Sequence, residues 1–306
     1  REFPLDDLQT IKSAAEIVDG SSTLTSSSFL SYFARINYSL QEKYLLAFSS
    51  RYDGSSRFGN SKKYGFFPAG SLGWIISEES FLKDHAYLSF FKIRTSYGLT
   101  GNALIGDFDH LGLYEPLSYN LSPGLSPSQI ANPNLTWETT KQFDIGLEFG
   151  LFEDRISGEI DFYNKTTKDL LLLVPVPATT GFVSQRQNIG EMQNYGFEIL
   201  LNSINYANKN LIWRTSFNFS RNINRLRSLS KDQTSIPPPY SSYLNGIFID
   251  QPMAVFYGPK YAGVDPANGD ALYYANEELT ETTNDYNSAA KLFLGSPNPD
   301  FITGLT

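Results

Sequence analysis

The chain has 306 residues, enough for one large β domain or two ordinary domains, and 18% of its residues are charged while 15% are aromatic. Its net charge of −8 argues against nucleic acid as a partner, because phosphate binding needs a basic surface. It contains no cysteine and 2 histidines, which excludes disulfides and thiolate chemistry and leaves little for a metal site or a histidine-based triad.

Residues 1–30 are predicted to form a loop segment that includes a Ser/Thr run, with one short helix near residues 8–18. The segment lacks the basic start and the apolar run of a secretory signal. Nowhere does a run of about 18 apolar residues predict a transmembrane helix. The protein is therefore expected either to be cytoplasmic or to be an interior piece of a longer chain.

From Tyr32 onward, apolar residues recur at every second position, and this period of two predicts β-strands. In the hairpin from Phe143 to Phe162 one face is apolar and aromatic, while the other carries acids, amides and glycines. Eight such strands are predicted in four hairpins, and a ninth begins near Phe301. The eight cover about 32–38, 44–53, 67–76, 91–99, 143–149, 156–162, 195–202 and 213–220.

The connections between these strands alternate between shorter and longer segments. Residues 100–139, 164–193 and 221–299 lack regular alternation and are predicted to be irregular. Transmembrane β-barrels have short turns on one side and long loops on the other, whereas a sandwich has no reason to alternate them. Basic residues at alternate strand positions, such as Lys92 and Arg94, are also easier to place in water than in a dry sandwich core. The sequence therefore favours an all-β transmembrane antiparallel barrel with long extracellular loops.

The predicted sheet of eight to nine strands is expected to be part of a larger barrel. The chain starts in a loop and stops at the first residues of a ninth strand. An unclosed sheet in lipid would leave backbone groups without hydrogen-bond partners, so further strands are expected to complete it.

Several long stretches occur in order along residues 33–306: FARINYSLQEKYLLAFSSRYDGSSRFG, FPAGSLGWIISEESFLKD, NPNLTWETTKQFDIGLEFGLFEDRISGEIDFYNKTTKDLLL, GFVSQRQNIGEMQNYGFEI and YAGVDPANGDALYY. Together they resemble the SusC/RagA family of TonB-dependent outer-membrane transporters of Bacteroidota. The resemblance implies a barrel of about 22 strands with a plug in its lumen. It assigns residues 31–306 to the C-terminal half of that barrel and residues 1–30 to an extracellular loop, with the plug, the TonB-contacting segment and the last strands absent.

The same resemblance implies a function and a set of partners. The family imports oligosaccharides or peptides across the bacterial outer membrane, is capped by a SusD-like surface lipoprotein and is energised by TonB–ExbB–ExbD. It therefore implies contact with outer-membrane lipid, a TonB contact through the missing N-terminal part, and dimers of transporter–lid pairs. It implies no cofactor and no enzymatic activity.

Two groups of side chains are candidates for the functional surface. Charged residues at alternate strand positions are expected to face the water-filled lumen: Arg35, Arg51, Lys92, Arg94, Asp144, Glu148, Glu159, Asp161 and Arg214. Aromatic residues in the long connections are expected to contact substrate or the lid, or else to pack the loops onto each other: Tyr114, Tyr119, Trp137, Tyr240, Tyr243 and Tyr257.

Catalytic and metal sites are not predicted. The acids of the central hairpin have the residue types of a glycosidase pair, but solvated lumen acids explain them without chemistry. Asp265 to Asp270 has closely spaced oxygen ligands but lacks the full calcium-loop spacing, so an Asx-Gly turn is favoured. Two alternatives to the importer stay open at this point: a soluble β-sandwich that binds carbohydrate, and a barrel hydrolase.

Overall fold

The computed structural model describes residues 24–83, 85–120, 122–230, 233–237 and 245–306. The predicted helix near residues 8–18 and most of the loop segment 1–30 lie outside these ranges. Within them, no helix has both the length and the apolar character needed to cross a membrane. Across the same described residues the chain is built from strands and connections, interrupted by the short 3-10 helices Ile76–Glu78 and Ala178–Thr180.

The strands follow the chain from Phe29 to Leu305. In order they are β1 (Phe29–Leu40), β2 (Tyr44–Ser55), β3 (Tyr64–Ile75), β4 (Leu88–Asn102), β5 (Leu113–Tyr119), β6 (Ser122–Gln129), β7 (Glu138–Leu151), β8 (Ile156–Lys168), β9 (Leu171–Pro175), β10 (Ser184–Asn188), β11 (Glu191–Ala207), β12 (Ile212–Ser228), β13 (Ser235–Ile236), β14 (Asn245–Phe248), β15 (Val255–Pro259), β16 (Tyr261–Val264), β17 (Ala271–Tyr274), β18 (Thr282–Thr283), β19 (Lys291–Gly295) and β20 (Ile302–Leu305).

The long strands form one 9-stranded sheet in the order β1-β2-β3-β4-β7-β8-β11-β12-β20. Sheet neighbours therefore follow one another along the chain, apart from the short strands inserted in the connections. The eight predicted strands and the beginning of a ninth are all present. The first strand, β1, begins at Phe29, and residues 29 and 30 pair with residues 55 and 54 of β2.

Short turns join the strands at one end of the hairpins. Gln41 and Glu42 have φ angles of 55° and 57° in the turn between β1 and β2, and Phe152 to Asp154 continue through φ angles of 56°, 57° and 61° between β7 and β8. The left-handed conformation reverses the chain within a few residues, at a small steric cost for side chains with a Cβ. The long connections, 103–137, 169–190 and 229–301, lie at the opposite ends of these strands, which confirms the predicted alternation.

The prediction that these long connections are irregular is wrong. Residues 100–139 contain the antiparallel hairpin β5–β6, and residues 164–193 contain the hairpin β9–β10. Beyond Arg221, β12 continues to Ser228, and two small sheets follow, with the orders β13-β14-β15-β19 and β16-β17-β18. Prolines and small residues hide the alternation in these strands, because they carry little hydrophobic contrast between the two faces.

The chain divides into two compact units. The first comprises Arg1–Gly73, Ser96–Gln142 and Thr167–Ile189. Its core is formed by Phe58, Phe67, Ile105, Leu135 and Trp137, of which Phe58 and Leu135 are fully buried. Two ion pairs hold connecting segments of this unit together: Arg57 Nε lies 2.8 Å from Asp107 Oδ1, and Arg186 Nε lies 2.7 Å from Asp109 Oδ2. These loops are therefore packed by a hydrophobic core of their own.

The second unit comprises Trp74–Thr95, Phe143–Thr166 and Gly190–Thr306. In this unit, the C-terminal end of β12 pairs with the segment after β14, because Leu226 N donates to Gln251 O and Asp250 N donates to Leu226 O. Leu226 is fully buried. On the apolar face of the long strands, Phe219 stacks on Phe197 and Phe301, with ring centroids 5.6 Å and 5.8 Å away.

Candidate functional site: a charged network on one face of the sheet

Five charged side chains on β4, β7 and β8 form a continuous network. Arg94 is its centre: its Nε donates to Glu148 Oε1 at 2.8 Å, and its Nη2 donates to Asp161 Oδ2 at 2.8 Å and to Glu159 Oε1. Lys92 Nζ donates to both carboxylate oxygens of Glu148, at 2.9 Å and 3.2 Å. Three carboxyl groups thus face two basic side chains in the network.

Alternation along each strand explains why these side chains meet. Lys92 and Arg94 occupy alternate positions of β4, as Glu159 and Asp161 do of β8, so each pair projects from one face. The five side chains remain 21% to 39% exposed, and water therefore screens the charges. Their ordering comes from multiple charge-assisted hydrogen bonds rather than from deep burial.

Gly146 allows Arg94 to reach β8. β7 lies between β4 and β8 in the sheet, and Gly146 is placed between Asp144 and Glu148 on the network face of β7. A Cβ at this position would lie 2.8 Å from Arg94 Cζ and would overlap Asp161 Oδ1. Because Gly146 has no side chain, the Arg94 guanidinium can pass over β7 at this position and reach β8.

We expect Gly146→Val to displace Arg94 from Asp161 and to lower the free energy of unfolding by about 1–2 kcal/mol, since an added side chain would overpack this crossing. The measurement is the thermal unfolding of the full-length protein in detergent. Gly70→Val is the matched control, because a Cβ there would approach nothing closer than Ala47 O at 3.8 Å. Equal melting temperatures for the Gly146 variant and the wild type would contradict the steric role.

A cavity of about 270 Å³ adjoins the network in the second unit. Its polar lining is formed by Glu159, Asp161, Glu198, Asn218 and Ser220. Glu198 pairs with Ser220 across β11 and β12, so both share one face of that hairpin. Glu198 was not among the predicted lumen residues, although its alternation with Phe197 and Ile199 is the signal that could have identified it.

The other predicted lumen residues lie elsewhere on the sheet. In the first unit, Arg51 pairs with the buried carboxylate of Asp53 at 3.2 Å, and Arg35 Nε donates to Asn37 Oδ1 at 3.1 Å. Asp144 shares the network face of β7, and its backbone oxygen accepts from Thr95 Oγ1. Arg214 is exposed near the beginning of β12, opposite Ile204. The structure thus brings five of the predicted residues together and leaves these four outside the network.

The predicted aromatic contact residues fall in different environments. Tyr114 and Tyr119, on the hairpin β5–β6, are 66% and 82% exposed. Tyr257 packs against Phe248 and Phe293, with centroids 4.6 Å and 5.3 Å away. Tyr240 and Tyr243 lie outside the described residues.

The prediction that Trp137 contacts substrate or lid disagrees with its burial. Its side chain is 5% exposed, and its ring lies 5.2 Å from Phe58 and 5.3 Å from Phe67. Its Nε1 donates to Lys63 O at 3.0 Å. Trp137 therefore packs the loops together, because the large apolar ring is more stable inside the core than in water.

The Asp265–Asp270 segment forms the turn between β16 and β17. Ala267 N donates to Asp265 Oδ1 at 2.9 Å, and Asp270 N donates to Asn268 Oδ1 at 3.0 Å, as in Asx turns. Gly269 supplies a φ angle of +83°. Across the part of the chain that the structure describes, no group of three or more His, Cys, Asp or Glu is arranged to hold a metal ion.

Comparisons with known proteins agree with the all-β structure. Residues 3–301 match the family described as TonB dependent receptor-like, beta-barrel. TonB-dependent receptor P3 of Formosa agariphila is 34% identical over 316 residues, 97% of this chain and 32% of that relative. TonB-dependent receptor SusC of Bacteroides thetaiotaomicron is 40% identical over 225 residues, 71% of this chain and 22% of that relative.

Among solved structures, the RagAB peptide transporter superposes with a TM-score of 0.82 at 34% identity, over 91% of this chain and 31% of that chain. The RagAB peptide importer in its "open-open" state gives a TM-score of 0.80 at 33% identity, over 93% and 32%. The chain thus spans about a third or less of the length of these relatives.

Proposed function

Because this chain belongs to the TonB-dependent receptor-like β-barrel family and is of the SusC/RagA type, we propose that it forms part of the wall and the extracellular loops of an active importer in the bacterial outer membrane. Its cargo is an oligosaccharide or a peptide. A SusD-like surface lipoprotein closes the entrance, and TonB–ExbB–ExbD supplies energy through a part of the whole protein outside this chain. Dimers of transporter–lid pairs belong to the same proposal.

The two-sidedness of the sheet is the observation that carries this proposal. In the first unit, Ile36 faces Phe48 on one side of β1 and β2, while Arg35 faces Ser49 on the other. In the second, Phe197 and Phe219 share the face opposite to Glu198. A bilayer solvates an exposed aromatic face, and a water-filled lumen solvates a charged one. The charged network therefore lines the translocation path, and its cations are already bound by carboxylates of the wall.

The names of the relatives support the choice of cargo and partner. The superposed structure is called the RagAB peptide transporter, and SusC is called a TonB-dependent receptor. These names describe those proteins. For the present chain, the network and the adjoining cavity offer carboxylates, an amide and a hydroxyl, groups that hydrogen-bond to either a peptide or a sugar.

The first experiment is a native pull-down of the full-length protein from outer membranes in mild detergent, with mass spectrometry of the bound components. We expect a SusD-like lipoprotein to co-purify, together with a glycan or peptide cargo. Uptake assays with labelled glycans and peptides, in strains with and without the gene, then identify the cargo. Recovery of the full-length protein in the soluble fraction, alone, would contradict the proposal.

The hairpin β5–β6 is the segment that we assign to contact with the lid. Its base is fixed, because Gln129 Nε2 donates to Leu111 O at 2.8 Å and Asn132 N donates to His110 O at 3.1 Å. Tyr114 stands opposite Pro127 and is exposed, as is Tyr119 near the tip. Exposed aromatics on a fixed support contribute contact area with little loss of conformational entropy, which favours binding.

Replacing both Tyr114 and Tyr119 by alanine is expected to reduce the lipoprotein recovered in the pull-down by about tenfold or more, since truncating an aromatic hot spot costs at least about 2 kcal/mol. Tyr38→Ala is the control, because Tyr38 is 55% exposed beside the turn at the other end of β1. Undiminished recovery with the double variant would exclude the hairpin as the contact. Barrel folding is checked by heat-modifiable migration in electrophoresis.

A further inference from the structure

Three arginines are concentrated at the end of β12 that leads into the long connection 229–301. The sequence from Arg221 to Arg227 is RNINRLR, which contains no acidic residue, although the chain as a whole carries a net charge of −8. Arg221, Arg225 and Arg227 are all exposed. This is a local concentration of positive charge on an otherwise acidic protein.

The register of β11 and β12 places these arginines on the apolar face of the sheet. Arg221 pairs with Phe197, and Arg225 pairs with Gln193. Phe219, two positions before Arg221 on the same face, belongs to the stacked row formed with Phe197 and Phe301. The arginines thus begin where the aromatic band ends, on the side opposite to the carboxylates of the network.

Among the described residues, one of the three guanidinium groups has side-chain acceptors and the other two have none. Arg227 donates to Gln193 Oε1 from Nε at 2.9 Å and from Nη2 at 2.6 Å, and its Nη1 lies 3.6 Å from Asp250 Oδ1. Gln193 Nε2 in turn donates to Asn164 Oδ1. For Arg221 and Arg225, no carboxylate among the described residues lies within ion-pair distance.

We propose that Arg221 and Arg225 bind a phosphate-bearing lipid headgroup in the outer leaflet of the membrane. This inference rests on the orientation in the proposed function, in which long loops mark the extracellular side. An arginine facing the bilayer is tolerated near the interface, where its destabilisation falls to about 0–1 kcal/mol, and its planar fork binds phosphate oxygens in pairs. The row of Phe197, Phe219 and Phe301 then packs against the acyl chains of the same lipid.

The test uses full-length protein, purified in mild detergent and stripped of lipid. It is titrated with diphosphorylated lipid A and, separately, with the dephosphorylated form, and bound lipid is counted by native mass spectrometry. We expect the phosphorylated form to bind more tightly to the wild type, and the variant Arg221→Gln/Arg225→Gln to bind it at least about tenfold more weakly for each arginine, because each substitution removes the paired charge-assisted hydrogen bonds of one guanidinium group. Arg214→Gln, on the other face of β12, is the matched control and is expected to bind lipid normally.

Equal binding of both lipid forms, or equal binding by the double variant and the wild type, would overturn the proposal. Displacement of the lipid by an equimolar amount of inorganic phosphate would overturn it too, because the site would then take free phosphate instead of a headgroup. Heat-modifiable migration shows whether each variant has folded. Co-purification of the lipoprotein lid is measured in the same preparations, so a failure of the lipid site is distinguished from a failure of the importer proposal.

Discussion

Replacing Trp137 by alanine is expected to lower the free energy of unfolding of the first compact unit by about 3–5 kcal/mol, because the substitution removes a buried aromatic side chain and leaves a cavity. The ring contacts Phe58 and Phe67 and is 5% exposed. The cavity that its removal would leave is therefore apolar, and water would not fill it favourably. The measurement is hydrogen exchange of the full-length protein in detergent, followed at the amides of residues 56–63 and 103–137. These segments should exchange faster in the variant.

Trp137→Phe separates packing from hydrogen bonding at the same position. Phenylalanine keeps most of the apolar contact but loses the donor to Lys63 O, so we expect a loss of about 1–2 kcal/mol. An alanine variant whose loops exchange as slowly as those of the wild type would show that the core of Phe58, Phe67, Ile105, Leu135 and Trp137 does not hold the loops together.

Replacing Arg94 by methionine is expected to lower the free energy of unfolding by about 2–3 kcal/mol, because Glu148, Glu159 and Asp161 each lose the hydrogen bond that Arg94 donates, and the three carboxylates then repel one another with only Lys92 beside them. The expected loss in the free energy of unfolding is smaller than that for a fully buried charge, because these carboxylates are 23% to 39% exposed. Thermal unfolding in detergent provides the measurement. The melting temperature should fall further at low salt, where the repulsion is less screened.

A second substitution tests the electrostatic origin of this effect. Asp161→Asn in the Arg94→Met background removes one of the repelling charges, so the double variant should recover part of the lost stability. Arg35→Met is the control, because the Nε of Arg35 donates to the neutral Asn37 Oδ1. If Arg94→Met and Arg35→Met had equal effects, the network would contribute no more than an ordinary exposed arginine.

The network also determines which charges this face would present to a cargo in the proposed importer. Arg94 and Lys92 are bound by carboxylates of their own wall, and Glu198 adds a further acid beside Glu159 and Asp161. In the proposed importer, a cargo that passes this face would therefore meet hydrogen-bond acceptors rather than free cations. Replacing Arg94 is therefore expected to change both the stability of the sheet and the charge that this face presents.

The all-β barrel class and the outer-membrane location could be predicted from the sequence, and membership of the TonB-dependent receptor-like β-barrel family confirms both. The alternative of a soluble β-sandwich is wrong for this reason. The long strands could be predicted because a face that meets lipid must be apolar at every second residue, whatever its neighbours are. Strands in the loops, such as Ser122–Gln129, escaped prediction because their prolines and serines leave no such contrast.

Local alternation by itself determined which residues of each strand share a face, and therefore grouped Arg94 with Lys92 and Glu159 with Asp161. Only the tertiary structure decided which strands are neighbours, and with that the route of Arg94 over Gly146 and the burial of Trp137. The physical reason is that the alternation of side chains along one strand follows from its backbone geometry alone. Which residues of other strands lie beside them depends on register and packing between residues far apart in the chain.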